Sequence, residues 1–124
     1  MDKKLYLPLL AAAFLVGSSA YAAGTSSATI GYYDTFARGG SVSMKGTVSV
    51  DGYNNPISTN KVWVEVYQQN CTACPDTRKF DQSLTAGASF TNYTFNASES
   101  LHYLWLDPDG PNYYGVVASG SATN

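Results

Sequence analysis

The chain has 124 residues, seven basic and nine acidic side chains, and an aromatic content of 14%. That length allows one domain with a true core, since a domain near 100 residues buries roughly two-thirds of its unfolded surface. Beyond residue 22 there are five basic and eight acidic side chains and no basic stripe. This excludes nucleic acid as a partner and argues against an anionic membrane surface.

Residues 1–22 read as an export address. Lys3 and Lys4 give a short positive start, residues 5–16 form an apolar run, and Ala20-Tyr21-Ala22 places small residues where a signal peptidase cuts. The run is too short to cross a bilayer, which takes roughly 20 apolar residues, and no second such run follows. The expectation is a signal peptide over 1–22, removed to leave a single exported domain over 23–124 with no stable membrane span. The protein is expected to be secreted or extracellular, with the periplasm and the cell surface as alternatives.

Residues 25–37 open the domain with Ile30, Tyr32, Tyr33 and Phe36, and the chain breaks at Gly39-Gly40. Residues 41–50 then alternate with a period of two. Val42, Met44, Val48 and Val50 share one face, and Ser41, Ser43, Lys45, Thr47 and Ser49 share the other. Gly46 falls on the apolar face, where a bulge or a close neighbour is expected. Residues 51–60, DGYNNPISTN, are dense in turn formers and read as a loop. In residues 61–67, KVWVEVY, the three valines share one side, which puts Trp63, Glu65 and Tyr67 on the other. Either a second layer covers those aromatics or they form an exposed platform.

Residues 68–77 form the cysteine-bearing loop, and 80–84 and 88–95 read as two short strands around Ala86-Gly87. Residues 101–117, LHYLWLDPDGPNYYGVV, read as a β-hairpin. Two aromatic runs flank Asp107-Pro108-Asp109-Gly110, where proline presets one turn dihedral and glycine supplies a positive φ. The tail from Ser119 is small and polar and is expected to fray. About seven short strands without helical periodicity or an internal repeat predict an all-β, small antiparallel β-sandwich. A small β-barrel is the alternative.

Few constellations in the chain could carry chemistry. Cys71 and Cys74 are expected to form a disulfide in an oxidising compartment, closing a loop so small that the bond contributes at most about 2 kcal/mol. A redox dithiol would need a helix N-terminus beside it, and the flanks carry no helix signal. A c-type haem site would need histidine where Pro75 stands. Zinc needs four ligands, more than two cysteines and His102 supply. His102 itself reads as a strand histidine on a half-buried face. Asp107 and Asp109 resemble only a fragment of a calcium loop, so no metal and no cofactor is expected. Glu65 and Glu99 cannot be placed together as a glycosidase pair. Asn70-Cys71-Thr72, Asn92-Tyr93-Thr94 and Asn96-Ala97-Ser98 fit the N-glycosylation pattern, which counts only in a eukaryotic secretory path.

Aromatic residues remain in excess: Trp63, Trp105, eight tyrosines and four phenylalanines follow position 22. Flat rings on β surfaces stack on sugars or anchor protein partners. Trp105 and Phe95 are read as core, whereas the valine register turns Trp63 and Tyr67 outward. No acid, base, nucleophile or metal constellation assembles, so an enzyme is the class with least support. The function expected is a non-catalytic secreted binding protein that engages a cell-surface glycan or protein through Trp63, Tyr67, Tyr103 and Tyr113. One alternative is a bacteriocin-like toxin acting on neighbouring cell envelopes, against which the negative charge counts. The other is a self-associating subunit of a surface fibre or matrix, templated by an uncharged edge at Gly39-Gly40-Ser41 or in the tail 119–124.

Overall fold

The computed structural model describes residues 24–109 and 113–124; the expected export signal and the tip of the expected turn, Gly110 and Pro111, lie outside them. Among these residues the strands are β1 (Thr25–Ile30), β2 (Ala37–Arg38), β3 (Val42–Asn54), β4 (Val62–Gln68), β5 (Thr77–Leu84), β6 (Ser89–Pro108) and β7 (Ala118–Thr123). They pair antiparallel in the order β1-β7-β3-β6-β4-β5, with β2 added to the C-terminal half of β6. The sheet does not close on itself. The fold is therefore an all-β sandwich, and the barrel alternative falls.

One strand makes the two layers. β6 is 20 residues long; Ser89–His102 pairs with β3, and His102–Pro108 pairs with β4. Its pairing with β3 slips twice, between Met44 and Gly46 and between Val50 and Gly52. Each bulge adds bend and twist, and strands that pass from one layer to the other do so at such irregularities. One layer therefore holds β1, β7, β3 and the first part of β6; the other holds β5, β4, the last part of β6, and β2. Gly46 sits at the first bulge with φ +80° and open space where a Cβ would stand, so it is a bulge and not a close neighbour.

Alternation along each strand fills the space between the layers. Met44, Val48 and Val50 from one side and Val62, Val64, Val66, Leu104 and Leu106 from the other are all fully buried. Each such side chain stabilises the fold by about 1.5–3 kcal/mol. The layers are also tied by a polar bond, from the Leu104 amide to the Ser26 hydroxyl at 3.0 Å. Gly120 and Gly52 mark where the layers come closest. A Cβ on Gly120 would stand 3.1 Å from Leu104, and one on Gly52 would stand 2.7 Å from Phe90 and 3.0 Å from Val64.

Several expectations need correction. Residues 51–54 are strand, not loop: Gly52 is dictated by close packing, and Asn54 is buried, its amide donating to the carbonyls of Leu84 at 3.0 Å and Asn60 at 3.2 Å. The hairpin over 101–117 does not form. Its first arm is the end of β6, paired with β4 and β2. Residues 113–117 spend their backbone groups elsewhere, with bonds from Asn55 and Thr59 to the carbonyls of Val117 and Gly115, and from Gly115 to that of Tyr32. The supposed fraying tail is β7, an interior strand between β1 and β3, and Asn124 bonds to the backbone of Lys45 and Thr47. Small residues are needed there because Ala118, Gly120 and Ala122 face the crowded core.

Candidate binding face

The outer face of the β5-β4-β6-β2 layer is assembled by register. Burying Val62, Val64 and Val66 turns Trp63, Glu65 and Tyr67 outward, and burying Leu104 and Leu106 turns Tyr103, Trp105 and Asp107 outward. Pairing then sets Tyr67 opposite Tyr103, Glu65 opposite Trp105, and Trp63 opposite Asp107. β5 adds Arg78 beside Tyr67 and Asp81 beside Glu65, and β2 adds Arg38 beside Trp105.

The rings pack on one another. Tyr67 and Tyr103 stack at 5.7 Å between centroids, and Phe36 lies flat on Trp105 at 4.6 Å with 5° between planes. Tyr67 and Tyr103 meet the Trp105 ring edge-on at 6.5 and 6.4 Å. The Arg38 guanidinium covers the Tyr103 ring at 3.9 Å and donates to the Ser41 hydroxyl and the Gln69 side-chain oxygen. Offset and edge-on pairs of this kind are worth about 0.5–1.5 kcal/mol each beyond the area they bury.

Charged groups are interleaved with the rings. Glu65 is only 5% exposed, accepts from the Tyr67 hydroxyl at 3.1 Å, and pairs with Arg78 at 3.5 Å. Arg78 also reaches Asp81 at 3.8 Å. Burial pushes the Glu65 carboxyl above the usual carboxylate range, and the hydrogen bond from Tyr67 and the charge of Arg78 only partly oppose it. Burial likewise raises Asp107, with the charge of Asp109 adding to it. The Tyr103 phenol is pushed up to about 12 by burial, then by its hydrogen bond to Asp76 and that carboxylate's charge.

The four residues expected to bind are placed as follows. Trp63 and Tyr67 are half-buried on this face, and Tyr113 is 63% exposed at its margin. Tyr103 lies on the same face but is only 7% exposed, sandwiched between Arg38 and Tyr67. It backs the other rings. Trp105, read as core, is half-buried on the outer face beneath Phe36. The alternation of Tyr103-Leu104-Trp105-Leu106 carried that signal, because two leucines inside require the tryptophan outside. Phe95 does pack against the core.

At one end of the face a groove of about 320 Å³ runs between Trp63 and Tyr113, with Glu65, Arg78, Asp81 and Asp107 in its walls. At the other end lies the cysteine loop. Cys71 and Cys74 are at bonding distance, with Cα atoms 4.9 Å apart, which is compatible with an extracellular location. The loop carries Asp76, the acceptor of the Tyr103 hydroxyl, so it buttresses the aromatic face. Asn70 braces it by donating to the Pro75 carbonyl and the Thr77 hydroxyl, both at 2.8 Å.

The remaining chemical residues lie apart from this face. His102 is fully buried rather than half-buried, because the strand changes partner layer at its position. Glu99 pairs with Lys45 and not with Glu65. Among the described residues no three His, Cys, Asp or Glu side chains group as metal ligands, and no helix is long and apolar enough to cross a membrane. No family model, curated protein or solved structure matches this chain. What fold and site define together is a class: a small all-β sandwich with an aromatic and charged face on one layer.

Proposed function

We propose that this is a non-catalytic binding protein that acts outside the cytoplasm, taking a cell-surface ligand on the outer face of the β5-β4-β6-β2 layer. One observation carries the reading. Val62, Val64, Val66, Leu104 and Leu106 already fill the core side of β4 and β6, so the rings opposite them are not needed to build it. A face with half-buried Trp63, Tyr67 and Trp105 presents rigid apolar area at little entropic cost, the property that binding surfaces exploit. Trp63 and Tyr67 are the contacts, Tyr113 contributes from the margin, and Tyr103 holds the rings in place. A glycan or a protein segment on a cell surface is the kind of ligand such a face takes. The burial of His102 and the engagement of Glu65 by Tyr67 and Arg78 favour binding over catalysis.

Co-sedimentation of the mature protein with cell walls and insoluble polysaccharides tests this. Retention that is lost on Trp63→Ala and Tyr67→Ala, with the fold intact by circular dichroism, is the expected result. Retention unchanged in the double variant would overturn it. Of the alternatives, self-association loses one of its supports, since residues 119–123 pair on both sides within the chain.

A further inference from the structure

The groove at the end of the face combines two features that select one kind of ligand. The first is an aromatic lining that includes Trp63 and Tyr113. Tyr113 is held at φ 56°, a left-handed conformation that bulky residues seldom adopt, and its ring is left largely in solvent. The second feature is an excess of negative charge. Among the described residues Glu65, Asp81, Asp107 and Asp109 line the groove with one cation, Arg78, and that cation is already shared between Glu65 and Asp81. The Asp107 carboxylate, half-buried opposite Trp63 in the strand register, meets no cation and no side-chain donor among the described residues.

An aromatic wall beside an uncompensated carboxylate matches the two attractions that a desolvated ammonium or guanidinium group uses. The ring face contributes a cation–π contact, and the carboxylate a charge-assisted hydrogen bond. A neutral sugar would use the ring but would leave the charge unmet. An acidic ligand would be repelled.

The geometry points to a basic side chain, a lysine or arginine presented by a protein on a cell surface, as the occupant of the groove between Trp63 and Tyr113, with Asp107 as its counter-charge. This rests on the binding reading above and names its partner class. The raised pKa values of Glu65 and Asp107 fit it, since a bound cation would relieve the crowding of these carboxylates and release protons into solution. Binding therefore strengthens as pH rises through the titration of these carboxylates.

The test uses the mature protein and two synthetic peptides, Gly-Arg-Gly-Arg-Gly and the same peptide with citrulline for arginine, followed by calorimetry at low salt. The arginine peptide binds and the neutral one does not. Asp107→Asn and Trp63→Ala each weaken binding about ten-fold, the size of one charge-assisted contact. Glu99→Gln changes net charge by the same amount far along β6 and leaves binding unaltered. Equal weakening by Asp107→Asn and Glu99→Gln, or equal binding of both peptides, would overturn the inference. If cell-wall or polysaccharide retention depends on Trp63 but not on Asp107, the face binds a neutral ligand and only the basic-partner inference falls. If neither substitution alters any binding, the face itself is not the site.

Discussion

His102 makes the stability of this protein depend on pH in a way that one substitution isolates. It is the only histidine in the chain, and it is fully buried. Its Nδ1 lies 2.9 Å from the Ser100 carbonyl oxygen, which can only accept, so Nδ1 carries the hydrogen and Nε2 the lone pair. Nε2 has no partner among the described residues, and the Phe95 ring packs 6.1 Å away. Protonating Nε2 would leave a buried N–H without an acceptor. Burial therefore holds the imidazolium pKa below the usual 6.5; the Ser100 bond opposes this and Lys79 reinforces it. In the unfolded chain the ring titrates near the usual value. As pH falls through 6.5 the unfolded state takes up the proton first, so the stability conferred by the neutral ring is complete above that pH and is lost down through the folded pKa. One proton gives a limiting slope of about 1.4 kcal/mol per pH unit. Glu65 and Asp107, whose folded pKa values are raised, act in the opposite sense, contributing stability at low pH that is lost as pH rises. They act alike in both proteins and cancel in the difference. Urea unfolding of wild type and His102→Leu, followed by tryptophan fluorescence from neutral to mildly acidic pH, reads the effect. The difference in unfolding free energy between the two changes with pH below 6.5 in favour of the variant. Parallel curves through that window would refute the reasoning.

Other outcomes follow from the packing. Gly52→Ala would push a methyl group to 2.7 Å from Phe90, and overpacking of this kind costs about 1–3 kcal/mol. For a domain near 100 residues that lowers Tm by roughly 4–8 °C per kcal/mol, whereas Gly40→Ala, with nothing within 4 Å of its Cβ, leaves Tm unchanged. Calorimetric scans of the two variants check this pair. Asp76→Asn removes the charge beside the Tyr103 hydroxyl, so the phenol pKa falls from about 12 but stays above 10.0, held there by burial. Ultraviolet difference titration follows it. Reduction of the Cys71–Cys74 disulfide frees the loop that carries Asp76 and shifts the same titration in the same direction, with little loss of global stability.

The valine and methionine alternation of β3 and β4 made the core legible, and with it the outward turn of Trp63 and Tyr67, because period-two burial is a local property. Gly46 was legible as a bulge or a close neighbour, and only the open space at its Cβ position decides for the bulge. What escaped depends on distant partners. Asp51, Gly52 and Asn54 look like turn formers, yet Gly52 is small because Phe90 and Val64 press on it, and Asn54 is polar because it satisfies two strand-end carbonyls. The alanine and glycine content of β7 looks like a frayed tail until Leu104 and Leu106 are seen against Gly120. Asp-Pro-Asp-Gly suggested a hairpin, but pairing partners are chosen across the whole sheet, and β4 took that edge of β6. On the candidate face, the outward turn of the Tyr103 ring was legible but its burial was not, because Arg38 imposes that from another strand.

The candidate face contains both tryptophans of the chain, Trp63 and Trp105, so fluorescence excited selectively in tryptophan reports on it. Acrylamide quenching of the protein, with and without solubilised cell-surface material, is the most direct measurement of the central claim. Binding at this face shields the rings and lowers the quenching constant, and Trp63→Ala abolishes both the shielding and the retention. Retention on that material with quenching unchanged would place the contact elsewhere and contradict the account.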